Sequence, residues 1–261
     1  MHRIDTSTAQ VDKFGTGKNG FTGGNPQTGE LPTALDENFF DAVQEEICNV
    51  IEVAGITLVK GTRNQLLSAL KKSFQSGRLI GLKVFTASGT YIPTDGTKKA
   101  KVTVTGAGGS GEFVLNAARG AGGGAGGTAI KFLDISLASY AITVGLGTTS
   151  TGGTSSFSTL LSATGGAPGA SGTGGAGGMG VGGDINLPGG YGSDGPGAGY
   201  SGGSGDGGAS YWGGGYRSAN GAGTSFPSPG APGGGGGGNA AANSAVSRSG
   251  IQGIVLVEEY S

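Results

Sequence analysis

The stretch GAPGASGTGGAGG, residues 166–178, places glycine at positions 166, 169, 172, 175 and 178. A three-residue period belongs to neither an α-helix nor a β-strand. Shorter runs follow at Gly189, Gly192 and Gly195, at Gly199, Gly202, Gly205 and Gly208, and at Gly230, Gly233 and Gly236. Three residues per turn is the period of the extended left-handed polyproline II helix, and only glycine lets such helices pack with their backbones touching. The region therefore reads as a bundle of polyglycine II helices. Lateral N–H to carbonyl bonds, helped by weak Cα–H contacts, satisfy the backbone without side chains.

From Gly165 to Gly238 there are 34 glycines among 74 residues. Fixing each backbone costs about 1–2 kcal/mol, which a lone helix does not offset. A disordered linker, however, needs charge to stay solvated, and between Ile135 and Gly250 the sequence holds only Asp184, Asp194, Asp206, Arg217 and Arg248. Order through mutual packing is the reading that follows.

The 261 residues suffice for one large or two modest domains. A net charge of −1 and a pI near 5.8 give no electrostatic basis for nucleic-acid binding. A single cysteine, Cys48, excludes an intrachain disulfide, and no apolar run is long enough to span a bilayer. The opening MHRIDTSTAQVDKFG is polar where a signal peptide would be apolar.

Residues 1–35 are polar, interrupted by glycine, and read as loop lying against a partner. Asp36 caps a predicted helix carrying Phe39, Phe40, Val43, Ile47, Val50 and Ile51 on one stripe, with Gly55 as its stop. Thr62 and Gln65 stand at capping-box spacing before a second helix with Leu66, Leu67, Leu70 and Phe74, stopped by Gly77. Between them, GITLV reads as a short strand or packed crossing. From Lys83 the period changes to two. Strands are expected at 83–86, 101–105, 129–137, 140–147 and 253–260, with a turn at 94–96. The expected class is α+β: a small helical amino-terminal anchor (1–80), followed by a β-strand and polyglycine II domain (81–261).

GTYIPTDGTKKAKVTVTGAGGSG, TSSFSTLLSATGGAPG, GGDINLPGG, PGGGGGG and the ending GIVLVEEYS together resemble the glycine-rich carboxy-terminal domain of bacteriophage and prophage tail fibres. The opening through DENFFDAVQEEI resembles the amino-terminal region of such fibres. The resemblance implies a homotrimeric virion component, made in the bacterial cytoplasm. Its amino terminus would join tail or baseplate proteins, and its tip would meet a surface polysaccharide, pilus or outer-membrane protein, with a folding chaperone possible. Barely 80 residues precede the first tip strand, so the fibre is expected to be short.

Gly106–Gly111 matches GxGxxG, but EFVLNAARGAGGG follows where a helix should open, which argues against a nucleotide site. Gly17-Lys18 has the Gly-Lys pair of a P-loop, yet positions 12 and 19 are Asp and Asn. GGYGSD at 189–194 matches one calcium-binding β-roll repeat, without the tandem copies that complete a site. No cofactor or metal is expected. His2 is the only histidine, and Asp184, Asp194 and Asp206 are better read as turn residues than as glycan-cleaving carboxylates. The chain is not expected to be an enzyme. Tyr191, Tyr200, Tyr211, Trp212, Tyr216 and Phe226 sit among glycine and serine, where a bundle offers little interior for large rings. Receptor contact is assigned first to Tyr211, Trp212, Tyr216 and Arg217 with Asn220. Two roles stay open for these rings: binding loops, or caps and subunit contacts. A non-adhesive tail component, a glycan hydrolase and an ice-binding-like bundle are the alternatives.

Overall fold

A computed structural model describes residues 2–74, 77–114, 119–196, 203–218, 230–239 and 248–261. The chain forms two compact units, Met1–Ser76 and Gly77–Ser261.

In the first unit, α1 (Glu37–Val53) begins at Asp36, whose carboxylate accepts from the Asn38 amide. The positive φ of Gly55 follows its end. The second helix, α2 (Gln65–Phe74), packs on α1 through Ala69 and Leu66 against Ile51, Ala54 and Ile56. Of the two readings of residues 55–59, short strand or packed crossing, the second holds: they form no strand, Ile56 packs on the Ile51, Ala54 and Ala69 cluster, and the Gln65 amide holds Val59 from both sides, accepting from its N–H and donating to its carbonyl. The Thr62–Gln65 capping box is absent: the helix starts at Gln65, whose side chain donates to the Thr62 carbonyl instead. Ahead of α1, residues 2–35 are held by turns and by isolated bridges Gln10–Gly20 and Asn25–Glu30.

The second unit overturns the α+β expectation. Among the described residues the protein is mostly β, with two short helices, both in the first unit, and two five-stranded antiparallel sheets in the second. The strands are β1 (Leu79–Phe85), β2 (Gly89–Tyr91), β3 (Lys99–Thr105), β4 (Thr128–Asp134), β5 (Tyr140–Thr143), β6 (Ser155–Phe157), β7 (Leu161–Ala163), β8 (Gly180–Val181), β9 (Ile185–Leu187) and β10 (Ile254–Tyr260). One sheet has the order β1-β10-β3-β4-β9 and the other β2-β5-β6-β7-β8. Period-two alternation buries Val102, Val104, Val255 and Val257 from the first sheet against Tyr91, Tyr140, Ile142 and Phe157 from the second. Tyr140 and Phe157 stack with ring centroids 4.9 Å apart, and Tyr91 lies 5.8 Å from Phe157.

The glycine-rich segments continue out of these strands as extended chain whose hydrogen bonds repeat every third residue. Residues 120–127 lie at the centre. Gly124 and Gly127 donate to Ala167 and Thr164; Gly122 and Ala125 donate to Ser193 and Gly190; Gly123 and Gly126 donate to Gly236 and Gly233. Three further neighbours donate in return, from Gly106 and Gly109, from Gly175 and Gly178, and from Gly205 and Gly208. The six neighbours close a ring by bonding to one another, through Gly166 to Ala107, Ala167 to Ala176, Gly192 to Gly175, Ser193 to Asp206, Gly235 to Gly208 and Gly236 to Gly109. Successive amides rotate by a third of a turn, so each points to a different neighbour and the buried backbone is satisfied. A Cβ on Gly122 would lie 1.9 Å from the Asp206 carbonyl oxygen, and one on Gly124 would lie 2.1 Å from that of Ala176. Ala107, Ala121 and Ala125 are fully buried within the same lattice.

Candidate functional site

Register fixes which parts of the second unit share an end. Leu79 and Lys99 both pair with Tyr260, and the Gly77 amide donates to the Ser261 carbonyl at 2.7 Å. The chain thus enters and leaves this unit where the sheets are farthest from the glycine lattice. At the near end, β3 runs into 106–111, 120–127 runs into β4, and β10 follows 248–253. Several of the described connections that do not return through strands meet at the opposite end of the lattice. There Gly111 bonds Arg248, Ser110 bonds Ser150, Gly169 bonds Ser110, Gly195 bonds Gly172, and Asn239 bonds Glu112.

A cleft of ≈ 320 Å³ opens at this loop end, lined by Glu112, Phe113, Thr149, Ser150, Pro168 and Ser171 among others. Its walls are well fixed. Glu112 Oε2 accepts the Ala121 amide at 3.1 Å and the Gly172 amide at 2.9 Å. The Asn239 side chain brackets Val114, accepting from its N–H at 2.9 Å and donating to its carbonyl at 3.0 Å. Ser171 and Gly172 have φ of 53° and 78° between Ala170 and Thr173, which bond each other; this is the tight turn that positive φ at two consecutive residues makes. Phe113 is 40% exposed. Glu112 is the only charged residue lining the cleft among those described.

The aromatic residues singled out in the sequence do not form one cluster. Tyr211 and Trp212 occupy the Ser210–Gly213 turn at the sheet end, where the indole N–H donates to Thr105 Oγ1 at 2.9 Å and Thr105 in turn bonds the Thr128 hydroxyl. Trp212 is half-buried by this anchoring, while Tyr211 stays exposed with its ring edge-on to the indole at 5.1 Å. Tyr216 lies further along the lattice under the Arg248 guanidinium, 5.6 Å from its ring centre, and Arg217 beside it is exposed. Tyr191 is 75% exposed. Tyr200, Asn220 and Phe226 lie outside the described residues. The loop-end residues Glu112, Phe113, Thr149, Ser150 and Ser171 were missed. The signal available was Glu112-Phe113 itself, a charge and an aromatic ring breaking a glycine run.

Other chemistry-bearing groups are engaged. The Asp184, Asp194 and Asp206 carboxylates accept the amides of Phe132, Gly174 and Ser218. Gly106–Gly111, the GxGxxG match, is buried, and its amides are committed to neighbouring carbonyls. In the first unit, ligand atoms of His2, Asp5 and Asp36 lie within 4.8 Å of one another, an arrangement that can hold a cation, although Asp36 already caps α1. In the second unit, Glu259 is fully buried on β10. Burial pushes its carboxyl up. The Thr94 amide and hydroxyl, the Tyr91 hydroxyl and the field of Lys83 outweigh that and hold it below its ordinary value.

No family model matches the chain. The chain is similar to the uncharacterized protein StfP of Escherichia coli strain K12, with 63% identity over 71 residues, covering 27% of this chain and 34% of that protein. The chain therefore spans about a third of that relative's length.

Proposed function

We propose that this chain is a tail-fibre protein of a bacteriophage or prophage, joined to the tail or baseplate by its first unit and adsorbing to a bacterial surface through the loop end of its second. One observation carries the reading. The chain enters the second unit at Gly77, beside Ser261, and several of the described non-strand connections, around Glu112, Ser150 and Ser171, meet at the opposite end of a lattice whose backbone amides are bonded in three directions. Binding residues held on loops over a rigid scaffold are a general arrangement for recognition. The sequence resemblance to phage and prophage tail fibres supports the same reading, and the likeness to a bacterial protein is compatible with a prophage origin. Homotrimer formation, a place in the virion and help from a chaperone come with the proposal through that resemblance.

The first unit suits a docking role. Phe40, Ile47, Val50, Val53, Leu67 and Phe74 are exposed on its two helices. Large exposed apolar residues gathered on so small a unit mark a surface that meets another protein.

The test is binding of labelled full chain to a panel of Gram-negative strains that includes the host. Saturable binding to some strains, weakened by loop-end substitutions that leave melting unchanged, is expected. A well-folded chain that binds no strain leaves a non-adhesive structural component of the tail. Shortening of host polysaccharide by the chain would replace adhesion with hydrolysis.

A further inference from the structure

The loop-end cleft has a chemistry narrower than adhesion in general. Its volume of ≈ 320 Å³ is at the small end of ligand clefts, which run from about 300 to 1,000 Å³. Its lining includes the exposed ring of Phe113, the ring of Pro168 and the hydroxyl-bearing residues Thr149, Ser150 and Ser171. None of those three hydroxyls bonds another described residue. Glu112 is held by two backbone amides on Oε2 alone, so among the described residues its Oε1 has no hydrogen-bond donor.

An acceptor carboxylate, free hydroxyls and an apolar ring in one small cleft match a ligand with several O–H donors on its edge and a C–H face. Anionic ligands are disfavoured, because among the described residues no Lys or Arg lines the cleft to pair with phosphate or carboxylate. A zwitterionic amino acid or peptide terminus fails for the same reason. We propose that the cleft is a subsite for one neutral hexopyranose unit of a surface polysaccharide. Phe113 packs on the sugar's C–H face, and Glu112 with Thr149, Ser150 and Ser171 takes its hydroxyls. This inference rests on the adhesin reading and names the ligand class of its loop end.

Saturation-transfer NMR on the full chain tests it, using methyl glucoside, methyl galactoside and N-acetylglucosamine as probes and N-acetylneuraminic acid as the anionic comparison. At least one neutral sugar is expected to bind saturably, with Kd of about 1 mM, and the acid is not. Phe113→Ala and Thr149→Val, both at exposed positions, should each weaken that binding by about fivefold or more while melting stays as in wild type. Absence of binding by all three neutral sugars, preference for the acid, or indifference to both substitutions would overturn the proposal. If the same protein still adsorbs to host cells in those cases, only the saccharide assignment fails. If it adsorbs to no strain, the adhesin reading fails with it.

Discussion

Glu259 shows how one residue can fasten the end of a chain. The last strand carries this carboxylate into the core, and Tyr91 and Thr94 meet it with three hydrogen bonds of 2.7–2.9 Å. Gly81 stands opposite in register because a Cβ there would lie 2.0 Å from Glu259 Oε2. Glu259→Gln should lower unfolding free energy by about 1–3 kcal/mol in urea denaturation, since an amide N–H₂ replaces an acceptor oxygen. Because the folded carboxyl titrates below its ordinary value, its contribution is complete above the ordinary carboxylate range and disappears as pH falls through the lowered one. Urea midpoints should therefore drop on acidification through that window in the wild type, and drop less in the Gln variant. The glycines divide just as sharply. Gly122→Ala meets backbone at 1.9 Å and should cost about 3 kcal/mol, whereas Gly214, with nothing within 4 Å of its Cβ, should accept alanine within about 0.5 kcal/mol in the same assay. Glycine at every third position was visible in the sequence. Glu259 was not, because its partners Tyr91 and Thr94 lie 168 and 165 residues away.

Among the elements, the long strands and β5 were legible and the shortest strands were not. β3, β4 and β10 are seven residues each, long enough for apolar residues at alternate positions, such as Val102 and Val104 or Val255 and Val257, to show. β6, β7, β8 and β9 are two or three residues long, made of stretches such as SSF and LSA, and too short for any period to emerge. Of those missed strands, β6, β7 and β8 complete the second sheet and β9 edges the first, and together they make the protein mostly β. The Ser210–Gly213 turn gives a second example. Two roles stood open for Trp212, receptor contact or a packed cap, and its N–H donates to Thr105, so its removal should act on stability. Trp212→Phe, which keeps a ring and deletes the donor, should lower unfolding free energy by about 1–2 kcal/mol by chemical denaturation and leave cell adsorption unchanged. Adsorption lost without destabilisation would restore Trp212 to the contact surface.

At the scale of the whole second unit, segment packing makes a backbone-bonded lattice without large side chains. It can tolerate change where chain leaves it and almost none inside. Ring upon ring of backbone bonds around 120–127 fixes the ends of 106–111, 164–169 and 188–195, so the loop-end residues inherit positions set by the interior. The sequence disclosed that packing through its glycine period. It did not disclose which turns meet, since that depends on the order in which segments surround the centre. The adhesin account therefore rests most directly on which end of this unit touches a cell. Labelled full chain should be titrated onto a susceptible strain beside a loop-end variant, Phe113→Ala with Thr149→Val, and a sheet-end variant, Tyr211→Ala. The account predicts saturable binding that the loop-end changes weaken and the sheet-end change leaves intact, with all three proteins melting alike. Binding lost only on changing Tyr211, or no binding by any folded form, would contradict it.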